Sequence, residues 1–495
     1  MRTLERSATV DPGRALDAAI AALQSDSAQL PLDEVDRALK VAPQDARLWH
    51  VKGLMHRAQD HRELAIPALY RAAGLAPNEP LIVHGLARTL LEAGLPSVEP
   101  FGRAVRLAPQ NVEVIMGLVS ALLAAGDADA AIDGMELALR RQPLWVQGHV
   151  LLAELRWSHG EREGFTRSFD EALAQHPNSL DLRTEKLNML LHAEQFDDLI
   201  AQIEDVRRLA GDPNLFMSHE ATVRSEMGDV AAADRAFTIL AHANSNVEMR
   251  RVRHLLKCGR AKDAAEAIEP WLTTEDQYIF WPYAATAWRL TGDPRSLWLE
   301  GDERFVGVYD ISARLPPLDQ LATTLRKLHT SRSQPLVQSV RGGTQTDGNL
   351  FHRIEPEIVA LREAIRETVA AHAASLPPID PDHPLLRWRP PQIDFTGCWS
   401  VRLSAGGRHA NHVHPMGWLS SALYIVLPPD VGHDEAGWLT LGEPQAQLGV
   451  DLPPFRMIEP KPGRVVLFPG WMWHGTRAFG EGERLTVAFD VARGR

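Results

Sequence analysis

Three histidines and an arginine set out the chemistry open to this chain. His412 and His414 are two residues apart, His474 follows sixty residues after His414, and Arg484 comes ten residues later. In a β-strand, residues i and i+2 point to the same face. Two imidazoles on or just after a strand can therefore look into one cavity. His474 closes the run GRVVLFPGWMW, an apolar stretch that reads as another strand and brings a third imidazole. Two ligands close in sequence and a third far along the chain is how a β-barrel holds a metal with coordination positions left open. A lone histidine is usually an interior hydrogen-bonding group, but three at this spacing with an arginine downstream point to a site.

The elements that must position these residues follow from the local periodicity. From Gln392 onward the pattern is that of strands. The runs are Ile393 to Leu403, Leu419 to Leu427, Trp438 to Leu441, Arg464 to Phe468 and Arg484 to Val491, separated by Pro428-Pro429-Asp430, Pro453-Pro454 and Lys461-Pro462-Gly463. Many short strands with this punctuation predict a sandwich or barrel. Upstream, Leu318 to His329 and Ile358 to Ala374 read as amphipathic helices. Between them Arg341-Gly342-Gly343-Thr344 reads as a β-turn or as a loop near the site, because paired glycines do not belong in a helix interior.

Residues 1–300 are a repeat array with a countable period. Prolines follow helix-like runs at Pro43, Pro77, Pro109, Pro143 and Pro177, in steps of 34, 32, 34 and 34. Glycines expected in helix–helix turns fall at Gly94, Gly126, Gly160, Gly228, Gly259 and Gly292, with one double step between Gly160 and Gly228. Small residues such as Gly53, Ala65 and Ala72 stand where two helices must approach. A period near 34 with these markers is the tetratricopeptide (TPR) signature. About seven repeats are expected up to Gly228 and one or two degenerate ones beyond. Such an array implies a surface for a protein or peptide, the alternative being a spacer or assembly arm. The expected organisation is a repeat array over 1–300, a junction over 301–317 and a β domain over 318–495.

Composition bounds the rest. The 495 residues carry a net charge of −12, with 45% hydrophobic and 23% charged residues, as in an ordinary multidomain globular chain. The acidic balance offers no electrostatic footprint for nucleic acid. Cys258 and Cys398 lie 140 residues apart, so no disulfide framework is expected. The N-terminus has no apolar core of a secretory signal, and no run of about 18 apolar residues suggests a membrane span. The expected location is the cytoplasm.

The stretches Gln338 to Thr346, His412-Val413-His414-Pro415, Leu419 to Tyr424 and His474…Arg484-Leu485-Thr486, in this order, resemble the 2-oxoglutarate- and Fe(II)-dependent oxygenases of the double-stranded β-helix (jelly-roll) fold. The similarity covers roughly the last third of the chain and is strongest to a bacterial group that often follows TPR repeats. The resemblance implies a dioxygenase using Fe(II), 2-oxoglutarate and O2, with no catalytic residue required beyond the metal ligands. It implies iron on His412, His414 and His474, and the distal carboxylate of 2-oxoglutarate on Arg484, completed by a hydroxyl of Tyr424 or Thr486. A planar guanidinium suits that carboxylate because it bonds in bidentate fashion. Arg341 and Trp473 are candidates to line the site.

The wider family carries His-x-Asp/Glu…His, and here the middle residue is His414. A carboxylate from elsewhere (Asp434, Glu435 or Glu443), His409 as an alternative partner, or a two-histidine site remain open. The expected activity is hydroxylation of a protein or peptide side chain presented by the repeats. The alternatives are a three-histidine metal β-barrel enzyme that does not use 2-oxoglutarate, a TPR adaptor with an inactive oxygenase-like domain, or an enzyme for a small molecule.

Overall fold

In the computed structural model, residues 11–25, 31–331, 334, 336, 338–429, 431 and 433–493 are described. The expectations for residues 1–10, and for Asp430 in the turn at 428–430, lie outside these. The chain divides into two compact units, Met1–Arg141 with Phe351–Val359, and Gln142–Leu350 with Ala360–Arg495.

The helical part is a succession of helix pairs. Their first helices begin at Pro12, Ala46, Pro80, Val112, Val146, Leu180, Met217, Ser245 and Gln277. Second helices end at Val41, Leu75, Leu107, Arg141 and Gln175, each two residues before one of the periodic prolines. Proline cannot extend the hydrogen-bond ladder and pushes its predecessor out of the helical region, so the chain must turn there. Within a pair the helices close on small side chains: Ala65 and Ala72 are fully buried, and a Cβ on Gly53 would collide with Leu69.

The turn inside each pair needs one residue with positive φ, which glycine supplies without strain. Gly94, Gly126, Gly160, Gly228, Gly259 and Gly292 have φ between 71° and 100°. Where the glycine series has gaps, Asp60 (φ 62°) and Glu194 (φ 56°) take the same backbone conformation. The turn is therefore imposed by the packing of the pair even where the sequence offers no glycine.

In the first unit, residues 351–359 join the first four pairs. Arg353 packs against Gly94 and bonds Glu355, and His352 Nε2 lies 4.0 Å from Asp60. Glu92 is held by Arg57 at 2.6 Å and by Arg62 at 3.2 Å. Burial opposes ionisation of Glu92, but the two guanidiniums outweigh it and bring its pKa to about 2.

The second unit holds the remaining five pairs and all nine strands described: β1 (Gly307–Asp310), β2 (Val340–Gln345), β3 (Phe395–His409), β4 (Leu419–Val426), β5 (Leu439–Leu441), β6 (Arg456–Ile458), β7 (Arg464–Pro469), β8 (His474–Thr476) and β9 (Arg484–Val491). A six-stranded antiparallel sheet runs β1-β7-β4-β9-β3-β2, and a three-stranded sheet runs β6-β5-β8. Tyr424, Val466 and Phe468 of the large sheet pack with Leu439, Leu441 and Ile458 of the small one.

Two local readings are corrected. Gly307–Asp310, expected in a junction, is an edge strand on β7. Arg341-Gly342-Gly343-Thr344 is neither turn nor loop but part of β2, bulged between Arg341 and Gly343. Without a Cβ, Gly343 comes close against the Arg402 carbonyl, an approach no other residue could make.

One repeat helix is built into the β region of its own unit. Trp473 Nε1 donates to the Pro282 carbonyl and the Thr286 hydroxyl of helix Gln277–Thr291, both at 3.0 Å. Arg289 of the same helix donates to the carbonyls of Gly442 and Pro453. The tail of the array thereby grips one end of the small sheet, where Leu441 pairs with Arg456 and His474.

Candidate metal and carboxylate site

The cavity lies between the two sheets, and backbone pairing sets its geometry. His412 and His474 exchange backbone hydrogen bonds, N–H to O at 2.9 and 3.0 Å, which sets their rings side by side with centroids 4.2 Å apart. His414 N–H donates to Gly470 O at 2.8 Å. Gly470 must be glycine, since a Cβ there would strike the His414 and Gly417 carbonyls. The His414 ring stacks on Trp399, 5.5 Å centroid to centroid and 4° from parallel.

One ring nitrogen from each of His412, His414 and His474 lies within 4.8 Å of the others. The remaining nitrogens decide what the cluster can do. His412 Nδ1 faces Ala410 O at 2.8 Å, His474 Nδ1 faces Met472 O at 2.9 Å, and His414 Nδ1 faces Asp490 Oδ2 at 2.7 Å. Each acceptor oxygen places the proton on Nδ1 and so assigns the lone pair to Nε2. Burial, then the neighbouring imidazoles, drive the His412 and His474 pKa values well below the ordinary range. Neutral imidazoles at His412 and His474, with Nε2 turned to the shared centre beside that of His414, are in the state a cation requires, and His412 Nε2 meets the Ser339 hydroxyl at 3.1 Å.

Strand β9 supplies the other wall. With period two, Arg484, Thr486, Ala488 and Asp490 share one face. The first three line the cavity and Asp490 reaches His414. Arg484 is 1% exposed, with its guanidinium carbon 5.2 Å from the centre of the Tyr424 ring on β4. Arg484 Nε and Nη1 and the Tyr424 hydroxyl are buried with no hydrogen-bond partner. Burial lowers the Arg484 pKa and the adjacent phenol opposes that; burial raises the Tyr424 pKa and Arg484 opposes it. A buried guanidinium with two unused nitrogens beside an unused hydroxyl asks for an oxyanion. Thr486 has already committed its hydroxyl to Val401 O at 3.4 Å.

Other sequence candidates fall elsewhere. Asp434 and Glu435 are exposed, and Glu443 pairs with Arg477 at 3.2 Å. His409 does line the cavity, sharing the Ser339 hydroxyl with His412 Nε2 at 3.2 and 3.1 Å; burial, with Arg484 and His414 adding, brings its pKa to about 3. The Arg341 side chain folds back onto the carbonyls of Gln338 and Val340. Trp473 is turned away by its bonds to Pro282 and Thr286, and its neighbour along the chain, His474, faces the cavity instead.

Asp490 is the residue that sequence reasoning missed. Its signal was present, since six residues after Arg484 on one strand is the same face. Ser339 and Gln345 also line the cavity, from the stretch the resemblance had marked.

Solved structures similar to parts of this chain include MamA (16% identity, 34% of this chain and 92% of that one, TM-score 0.30). YrrB, titled a TPR protein with an unusual peptide-binding site, matches at 16% identity over 36% of this chain and 93% of its own, TM-score 0.29. A mutant of the Thermobaculum terrenum O-GlcNAc transferase matches at 26% identity over 28% of this chain and 27% of its own, TM-score 0.25. No curated protein matches the chain. Residues 397–490, which carry the three histidines, Arg484 and Asp490, match the family described as "Putative 2OG-Fe(II) oxygenase".

Proposed function

We propose that this chain is a 2-oxoglutarate- and Fe(II)-dependent dioxygenase of the double-stranded β-helix type that hydroxylates a side chain of a protein or peptide held by its TPR repeats. The observation that carries the reading is the orientation of His412, His414 and His474. All three have Nδ1 tied to an oxygen, which turns three Nε2 atoms toward one centre, that of His412 meeting the Ser339 hydroxyl there. The match of residues 397–490 to an oxygenase family supports iron as that cation.

The chain's own groups divide the work. The three imidazoles hold the iron and leave coordination positions free. To hold a metal, His412 Nε2 would give up its contact with the Ser339 hydroxyl. Arg484 takes the distal carboxylate of 2-oxoglutarate in bidentate fashion. The Tyr424 hydroxyl completes the clamp in preference to Thr486, because Tyr424 has no other partner. Asp490 fixes the His414 ring through its Nδ1. When bound, iron, 2-oxoglutarate and O2 supply the C–H oxidation, with 2-oxoglutarate leaving as succinate and CO2. Walls sealed by Trp399, Leu439 and Ala422 keep water from the reacting centre.

One observation favours a second reading. Among the described residues no carboxylate joins the three-histidine cluster, and Asp490 bonds His414, so the site is more positive than a two-histidine, one-carboxylate site. A three-histidine metal enzyme independent of 2-oxoglutarate has that donor set. Anaerobic reconstitution with Fe(II) followed by 2-oxoglutarate titration separates the two. A visible metal-to-ligand charge-transfer band in wild type, lost in His412→Ala and Arg484→Ala, supports the oxygenase. Tight iron without the band selects the second reading, and absence of iron binding leaves the chain as an adaptor.

A further inference from the structure

Outside the metal cavity, a second shielded arginine stands without a partner. Arg250 lies on helix Ser245–Lys257, the first helix of its pair. Among the described residues it makes no hydrogen bond or ion pair, and its Nη1 is sealed from water. The charge that acts on Arg250 is Arg253 of the same helix, and Arg250 in turn acts on His192 of helix Leu180–His192, which Glu185 opposes, and on His219 of helix Met217–Glu226. Burial, reinforced by Arg250, holds His219 neutral with a pKa of about 4.

Three acids of these helices are committed elsewhere, while Glu185 acts on His192. Glu226 pairs with Lys257 at 2.6 Å and Arg253 at 3.9 Å. Glu220 pairs with Arg207 at 2.6 Å, and Glu248 with Arg251 at 2.6 Å. A guanidinium half removed from water and left uncompensated destabilises the fold unless something else neutralises it. In a chain of net charge −12 this is a local reversal of sign.

Contacts lead from this patch to the metal cavity. Asn188 bonds His219 at 3.0 Å on the near side of Arg250. On the far side Arg253 donates to the Tyr283 hydroxyl at 3.2 Å, and the Tyr283 ring meets Trp473 edge-on at 5.7 Å. Trp473 immediately precedes His474. Tyr283 and Trp473 are both buried, so these contacts run beneath the surface and tie the helices to the strand that carries His474.

We infer that Arg250, flanked by Arg253, His192 and His219, is an anion-recognition site that takes the side-chain carboxylate of an Asp or Glu in the polypeptide substrate. The carboxylate completes the fork of Arg250. This role in substrate selection rests on the oxygenase reading, whereas the binding itself does not.

The test uses the full-length, metal-free protein and fluorescence anisotropy. The probes are a short, C-terminally amidated Gly/Ser peptide with spaced Asp residues and its Asn counterpart, so that no terminal carboxylate contributes. Wild type should bind the Asp peptide at least about tenfold more tightly, the range expected for one charge-assisted pair. Arg250→Ala and Arg250→Gln should fall to the level of the Asn peptide, while Arg250→Lys retains part of the preference. Arg208→Ala, an exposed arginine paired with Asp205, should change nothing. The thermal midpoint of Arg250→Gln should stay level or rise, because an unpaired cation has gone.

Equal binding of the two peptides, binding of neither, or equal loss in Arg208→Ala overturns the inference. So does a large drop in midpoint for both Arg250→Gln and Arg250→Lys, which would make Arg250 structural. Asp-selective binding without a charge-transfer band fails the oxygenase reading alone. A band without Asp selectivity fails this inference alone.

Discussion

Two histidine clusters in the second unit look alike on paper and differ in what they leave over. Around His254, Nδ1 meets Ser225 Oγ at 2.8 Å and Nε2 meets Asp234 Oδ1 at 3.2 Å, with Arg260 on Asp234 at 2.5 Å. Serine, histidine and aspartate in a line suggest a nucleophile and its base. Yet Ser225 is 6% exposed, and both His254 nitrogens are spent inside the fold. Around His412, His414 and His474, Nδ1 of each ring is spent on an oxygen and the other nitrogens converge on one centre, where His412 Nε2 meets the Ser339 hydroxyl. The lesson is that a site is marked by unsatisfied capacity converging on one point rather than by an inventory of reactive residue types.

The largest effects should separate the two clusters directly. His412→Ala or His474→Ala is expected to abolish stoichiometric Fe(II) binding, read by metal analysis after anaerobic desalting. His254→Ala should bind iron as wild type does and lose roughly 1–3 kcal/mol of stability, the cost of breaking a buried polar network. Iron binding impaired by the His254 change would collapse the distinction.

Arg484→Ala comes next. Iron should remain, while 2-oxoglutarate affinity falls by about 30- to 1,000-fold, as when one partner of a buried charge pair is removed. Arg484→Lys should recover part of it. An unchanged 2-oxoglutarate dissociation constant in Arg484→Ala would show the orphaned guanidinium to be structural, like Arg260.

The carboxylates sharpen the comparison further. Asp490→Asn should weaken iron by roughly 10- to 100-fold through the His414 ring it orients. Asp234→Asn, a carboxylate–histidine contact of 3.2 Å against 2.7 Å for Asp490, should leave metal affinity untouched. Equal effects from the two would mean that stability, not ring orientation, is being measured.

The smallest effect is on stability against pH. His50, His219, His329, His372 and His383 are neutral in the fold, with burial bringing each to about 4. Their unfolded pKa is about 6.5, so on acidification the unfolded chain takes up protons first. Their contribution is complete above about pH 6.5 and falls as pH drops toward 4. Each should cost about 1.4 kcal/mol at about pH 5.5. Urea midpoints across that window, in wild type and in His329→Gln, would show the slope reduced in the variant. A flat profile from pH 7 to 5 would show these histidines to be charged within the fold.

Much of this was legible from residue types. The helix pairs could be counted because each turn of the array reuses a proline that ends a helix and a glycine that permits positive φ. The same logic failed at Asp60 and Glu194, where packing of the pair forces the conformation on residues that do not advertise it. In the β region, His412, His414, His474 and Arg484 stood out because strand period and spacing are local properties. Asp490 obeyed the same period as Arg484 but was an unremarked acid until His414 was seen across from it.

By itself, then, the sequence determined the repeat period, the strand runs and the set of side chains able to ligate. These depend on backbone propensities and on neighbours a few residues away. The tertiary structure decided which nitrogen of each histidine is free and which arginines lack partners. It also decided that Gly307–Asp310 and Arg341–Thr344 are strands, and that Trp473 turns toward helix Gln277–Thr291. Hydrogen bonds between residues tens to hundreds of positions apart settle those choices, and only the folded chain brings such partners within 3 Å of one another.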